Sequence, residues 1–161
     1  MTIQPYTSSN HDACTGIFNS NCPAFFDPSE LELLRRWLGG LDRGMNPYGN
    51  SEQNVFFVGM LENKVIACGG FYVVRSKPEV RLAWGMVHRT FHRKGYGRNL
   101  LNYRLDHIRK NFPEHSILLD TSQHTMDFFQ KQGFALLKET KDGYGPGLHR
   151  MDMIRRNGNT A

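Results

Sequence analysis

Hydrophobic residues along this chain change period several times, and each change predicts an element. Leu101, Leu105, Ile108 and Phe112 recur at helical spacing and fall on one face. Pro113 follows and disfavours helical backbone at Phe112, so it ends that helix. Leu31, Leu34, Leu38 and Leu41 make a second helical stripe, with Trp37 beside it. Asp27 can cap this helix, Pro28 suits its first turn, and Glu30 completes a capping box. A strand is predicted near Ile3 and a short helix over about residues 12–19. Residues 39–54 are rich in Gly, Asn and Pro and predict a long loop.

Strands dominate the chain from residue 55 onward. Val55-Phe56-Phe57-Val58 predicts one, Glu62-Asn63 a hairpin turn, and residues 65–74 a longer strand with Gly69-Gly70 inside it. Glycine within a strand marks a bulge or a close backbone approach. Lys77-Pro78 turns the chain into a strand over residues 80–87. Ile117-Leu118-Leu119 is a short buried strand, and a helix is predicted over about residues 124–131, with Gly133 near its C-cap. Residues 134–155 predict two last strands joined through residues 142–147. A meander of strands, then helix, strand, helix and strands, predicts an α/β fold with a mixed sheet. The expected organisation is a single domain over residues 1–156, with a frayed tail over 157–161.

Composition narrows the picture little. The chain has 161 residues, 39% hydrophobic and 22% charged, as in soluble globular proteins. Its net charge is +5, which can attract nucleic acid, anionic membrane or an anionic cofactor. No dense Lys/Arg run supports a nucleic-acid face; the excess gathers near residues 89–98 and at the C-terminus. Cys14, Cys22 and Cys68 form no Cys-x-x-Cys pair, so neither a disulfide framework nor a zinc site is expected. A reducing, cytoplasmic setting with no membrane segment is the expectation.

The chemistry concentrates in residues 84–104. Trp84-Gly85-Met86-Val87 enters a basic turn, His92-Arg93-Lys94-Gly95-Tyr96-Gly97-Arg98, which opens into the helix carrying Leu101. The first N–H groups of a helix lack intrahelical partners and carry the positive end of its dipole. Gly95 and Gly97 let a ligand approach the backbone closely, and Arg93, Lys94 and Arg98 add charge. The turn is suited to an anion, a diphosphate in particular. It is not a P-loop, and Leu100 stands where a dinucleotide fingerprint has its third glycine.

This turn resembles the coenzyme-binding motif of the GNAT family of N-acetyltransferases, Gln/Arg-x-x-Gly-x-Gly/Ala, here as His92-x-x-Gly95-x-Gly97. A second segment, Phe129-Gln130-Lys131-Gln132-Gly133-Phe134, resembles the family's Tyr-x-x-x-Gly-Phe. The resemblance covers roughly residues 55–134, with both motifs in the family's order. It implies a fold with splayed central strands and acetyl-CoA as co-substrate, with no metal. It further implies that backbone groups of Met86 and Val87 pair with the pantetheine arm. N–H groups from Arg93 to Arg98 then hold the pyrophosphate, with Lys94, Gly95, Tyr96 and Gly97 between them. The resemblance also implies that the Val87 amide polarises the acetyl carbonyl. The implied acceptor is an amine on a small molecule or peptide, attacking directly, and homodimers are common in the family. A coenzyme A-binding sensor or partner module without turnover is the alternative.

Two departures from the family pattern matter. The Tyr that often protonates the departing thiolate is Phe129, and no carboxylate lies in residues 80–87, although Glu79 precedes them. Local candidates are few. Tyr144, in a glycine-rich segment, is either the acid or an ordinary turn aromatic. Ser122 stands where the family often has Asn near coenzyme A, or else caps the following helix. His88 is a weaker candidate for a base. His88 and His92 have metal-like spacing but no carboxylate to complete a site, and His107, His115, His124 and His149 read as structural or surface residues.

Overall fold

A computed structural model describes residues 1–157. Strand β1 (Thr2–Pro5) leads into helices α1 (His11–Asn21) and α2 (Leu31–Asp42). A three-strand meander comes next: β2 (Ser51–Leu61), β3 (Lys64–Val74) and β4 (Glu79–Val87). Helix α3 (Tyr96–Asn111), β5 (Ser116–Ser122), α4 (Met126–Lys131), β6 (Ala135–Gly145) and β7 (Leu148–Arg156) complete the chain. The strands form one mixed seven-stranded sheet in the order β1-β2-β3-β4-β5-β7-β6. Among the described strands only β4 and β5 run parallel.

Both faces of the sheet are covered. Leu101, Leu105 and Ile108 of α3 pack on Phe71, Val73, Val80, Ile117 and Leu119. On the other face Cys14, Ile17, Phe18, Leu34, Trp37 and Leu38 from α1 and α2 pack on Phe56, Val58, Cys68, Ala83 and Met86. The predicted leucine stripes are therefore the core faces of their helices. Asp27 accepts from Ser29 N–H at 2.9 Å, and Glu30 accepts from Asp27 N–H at 2.9 Å, so the predicted capping box is made, on a short 3-10 turn ahead of α2.

Three expectations need correction. Residues 39–54 are not one long loop: α2 runs through Gly39 and Gly40 to Asp42, and β2 already begins at Ser51. The glycines serve packing. A Cβ on Gly40 would stand 3.0–3.3 Å from Pro47, and Met45 N–H donates to the Gly40 carbonyl at 2.8 Å, so the short connection lies against the helix. Helix α4 starts at Met126, with Thr125 rather than Ser122 at its N-cap. Most of residues 142–147 belongs to β6, leaving only Pro146 and Gly147 as the turn. The frayed tail, apart from Asn157, lies outside the described residues; Asn157 itself donates to the Phe112 carbonyl at 3.0 Å.

The sheet is interrupted where β4 leaves β5. The parallel ladder holds only at Glu79↔Ser116, Val80↔Ile117 and Arg81↔Leu118. Beyond it, Trp84 and Gly85 together face Gly69 of β3, a β-bulge that also puts Trp84 at φ 51°. The neighbouring Gly70 has no room for a side chain: its Cβ would overlap the Val55 carbonyl and lie 2.8 Å from Phe56 Cα. Both obstacles are backbone of a paired strand. Gly70→Ala is expected to destabilise by about 2 kcal/mol, read as a melting temperature lower by roughly 4–8 °C.

Candidate active site

The glycine turn builds an anion cradle by backbone geometry. Gly95 caps α3 at φ +84°, and Arg93 sits at φ +60°, so two left-handed residues curl the chain around a concavity. Asn99 N–H makes the first intrahelical bond, to Gly95, leaving the N–H groups of Tyr96, Gly97 and Arg98 pointing out of the helix end. Arg93, Lys94 and Arg98 are exposed around it. A Cβ on Gly95 would meet open space, so positive φ alone demands glycine there. Gly97 differs: it lies within α3, where a Cβ would make an ordinary 3.8 Å contact with Val87. These features suit a diphosphate.

The cradle sits at the mouth of the parted strands. His88 N–H donates to the Ile66 carbonyl at 2.8 Å, and antiparallel alternation then turns the backbone of Val87 away from β3, toward the gap. The Val87 carbonyl accepts from Asn21 Nδ2 and from His92 Nε2, each at 2.9 Å. Because a carbonyl only accepts, His92 carries its proton on Nε2. His88 is half-buried and committed locally, its Nδ1 accepting from Thr90 N–H as the cap of a 3-10 turn. Ser122, 3% exposed, ends β5 opposite Arg150.

A sequence model of the Acetyltransferase (GNAT) family matches residues 13–134. This chain belongs to the GNAT acetyltransferase family. Its fold matches that of a GNAT-family protein from Desulfovibrio desulfuricans with TM-score 0.79 at 15% identity, over 98% of this chain and 99% of that one. The yncA protein of Salmonella typhimurium, solved with acetyl-CoA, gives 0.69 at 18% identity over 100% and 96%. An aminoglycoside 6'-N-acetyltransferase complexed with coenzyme A gives 0.72 at 12% identity over 97% of each chain. Comparison with curated protein sequences gives no match.

At the ends of β5, β6 and β7 a second group of residues comes together that no local sequence pattern connects. The Tyr144 hydroxyl donates to Asp120, binding β6 to β5. Burial and the Asp120 charge raise the Tyr144 pKa, so its proton is held on the phenol. Arg150 bridges Asp152 at 2.9 Å and Asp120 at 3.6 Å. Gly145 packs directly on the Asp27 carboxylate, its Cβ position 3.1 Å from Asp27 Cγ, which docks the β6–β7 end onto the turn carrying Glu30. Burial pushes Glu30 up to about 7, with the charges of Asp120 and Asp27 adding to the rise against the bond from Asp27 N–H. Asp27 itself is held below the usual carboxylate range by its Ser29 bonds. Trp84, Tyr48, Tyr72 and Phe26 are half-buried and pack on the core that α1 and α2 form against the sheet.

Phe129, in the family's Tyr position, packs on Phe128 and Phe134 with ring centroids 5.1 and 5.7 Å away. It is an apolar core contact with no proton to give.

Glu30 makes stability depend on pH with a definite sign. Its native pKa is raised, so its contribution is full below the ordinary value of 4.5 and is lost as pH rises through about 7. Glu30→Gln removes this titration. The melting temperature of the variant minus that of the wild type is expected to increase between about pH 5 and about pH 8, read by calorimetry at matched ionic strength.

Proposed function

We propose that this GNAT protein transfers the acetyl group of acetyl-CoA to a primary amine, by direct attack with both reactants held in the gap between β4 and β5. The observation that carries the reading is the alignment of that gap with the cradle at the start of α3. The parted edge of β4 turns the Val87 N–H toward an extended amide-bearing arm, while Met86, paired with Cys68, turns its backbone groups to β3 and lends only the strand's course. N–H groups between Arg93 and Arg98 lie at the mouth for a diphosphate, and Ser122 flanks the opposite strand end. Acetyl-CoA, when bound, supplies the thioester.

In this proposal the Val87 N–H donates to the thioester oxygen as charge develops there. Holding amine and thioester together supplies much of the acceleration. Tyr144 is the candidate donor to the departing thiolate; to act so, its O–H must exchange Asp120 for sulfur. The acceptor reaches the thioester past Glu30, Asp120 and the rings around Trp84. The free thiols of Cys14, Cys22 and Cys68 support a reducing, cytoplasmic setting. No described helix is long and apolar enough to cross a membrane.

The test is transfer of isotopically labelled acetyl from acetyl-CoA to a panel of spermidine, phenethylamine, kanamycin, glutamine and a short peptide with a free N-terminus, read by mass spectrometry. Label is expected on at least one amine, and acetyl-CoA is expected to raise the melting temperature. Replacing Arg93 and Arg98 together by Glu is expected to weaken that protection by about tenfold or more in apparent Kd. Heat protection without label on any panel member points instead to a coenzyme A-binding module without turnover. Absence of both defeats the proposal.

A further inference from the structure

The amine must lose a proton before it can attack, and strand β4 supplies no carboxylate beyond its first residue, Glu79, which pairs with Ser116 at the closed end of the ladder. Four acidic side chains gather at the opposite wall: Asp27, Glu30, Asp120 and Asp152. Three are already committed. Asp152 is held by Arg150 at 2.9 Å. Asp120 accepts from Tyr144 and lies 3.6 Å from Arg150. Asp27 takes both Ser29 donors, backbone and hydroxyl, on Oδ1, and Gly145 packs against its Oδ2. Glu30 combines partial burial with an oxygen that no hydrogen bond engages, because Asp27 N–H takes only Oε2.

We propose that Glu30 is the general base of the transfer, positioned by the capping box of α2 and faced across the gap by Asp120 and Tyr144. The inference rests on the transferase reading above and adds the residue that completes it. The capping bond fixes the carboxylate without consuming it. Gly145, packed on Asp27, brings the end of β6 down over the same turn. The groups facing Glu30 are Asp27 on its own turn, Cys22 on the connection from α1, Asp120 on β5 and Tyr144 on β6, with Arg150 of β7 behind Asp120. Two acids of one turn are thereby driven apart, Asp27 downward and Glu30 upward to about 7. A base titrating there suits proton removal from an ammonium near neutrality.

The step balances with acetyl-CoA as the only co-reactant. The acceptor arrives as an ammonium, and the Glu30 carboxylate takes one of its protons. The freed nitrogen pair forms the C–N bond to the acetyl carbon, and the C–S bond breaks with its electrons going to sulfur. The attacking nitrogen loses a second proton, which goes to that thiolate. Glu30 then gives its proton to water. Ammonium and thioester become amide, thiol and one released proton.

Glutamine can replace glutamate in a capping box but cannot take a proton. In Glu30→Gln, kcat on the fastest panel amine is expected to fall about a hundredfold or more. The acid limb of the wild-type profile, near pH 7, is expected to vanish, while protection by acetyl-CoA stays unchanged. Glu30→Ala is expected to lose the cap and melt lower as well. Carbon-13 NMR of the free protein gives a readout apart from activity: one Glu carboxyl titrating near 7, absent from Glu30→Gln. Near-wild-type kcat in Glu30→Gln with a destabilised Glu30→Ala means a purely structural cap and overturns the proposal. Residual activity in Glu30→Gln that keeps the same acid limb places the base elsewhere and also overturns it. If the wild type itself labels no amine, the transferase reading has failed and this inference falls with it.

Discussion

The guanidinium of Arg104 lies under the bulge in β4, and the geometry of the parted strands depends on that placement. The side chain leaves α3 from within its apolar face and is 3% exposed. It fills the space where Gly69 and Gly85 lack side chains: their Cβ positions stand 3.3 Å from Arg104 Cζ and 2.6 Å from Nη2. The same two glycines nearly touch, the Gly69 Cβ position lying 2.9 Å from Gly85 Cα. Any side chain at either position would collide with the cation or the facing strand. A bulge bends its strand and increases the local twist. The last β4–β5 pair, Arg81↔Leu118, comes just before it. The gap begins where this bend begins.

A lone buried cation is a poor source of stability. Taking a guanidinium out of water costs several kcal/mol unless partners repay it, and Arg104 has one hydrogen bond, to the Gly70 carbonyl at 3.2 Å, with its Nε unmatched. Burial lowers its pKa to about 10, so it is still charged at neutral pH. Its contribution is positional. It ties α3, whose N-terminus is the anion cradle, to the backbone of β3 immediately behind the bulge. Cradle and gap therefore hold a fixed relation to each other. Charge is sorted along the same axis: exposed Arg93, Lys94 and Arg98 at the mouth, and Glu30 and Asp120 at the far wall. A net charge of +5 conceals this division.

Legibility in the sequence divides along range. The α3 stripe, its Pro113 stop, the capping box at Asp27 and the two family motifs are local patterns, and each forms where the residues predict it. Gly95 is a conformational glycine, as its place in the turn suggests, at φ +84°. Gly39 and Gly40 mislead because glycine usually breaks helices, whereas Gly40 is small so that Pro47 can approach. Arg104 is invisible for the opposite reason: a charged residue between Leu101 and Leu105 reads as solvent-facing, and only the long-range pair Gly69 and Gly85 makes room for it. Glu30 is recognisable as a cap, but its second environment comes from Asp120 and Tyr144, which no local pattern connects to it.

The end of β4 shows how one substitution in a family motif is absorbed. His92 stands where Gln or Arg is usual, and its ring turns back to donate to the Val87 carbonyl. Asn21, at the end of α1, donates to the same oxygen. A carbonyl oxygen has two lone pairs, and both are taken. An arm lying along β4 as an added strand needs a donor and an acceptor in alternation, and Val87 now offers only its N–H. That leaves this residue suited to receiving a carbonyl oxygen rather than to continuing a ladder. The same two side chains hold the peptide plane that the Val87 carbonyl shares with the His88 N–H, which itself donates to Ile66 on β3. The end of β4 is thus pinned from three directions, by the Ile66 carbonyl, Asn21 and His92, none of which belongs to the strand itself, and the backbone beyond the bulge is held where β5 no longer pairs with it.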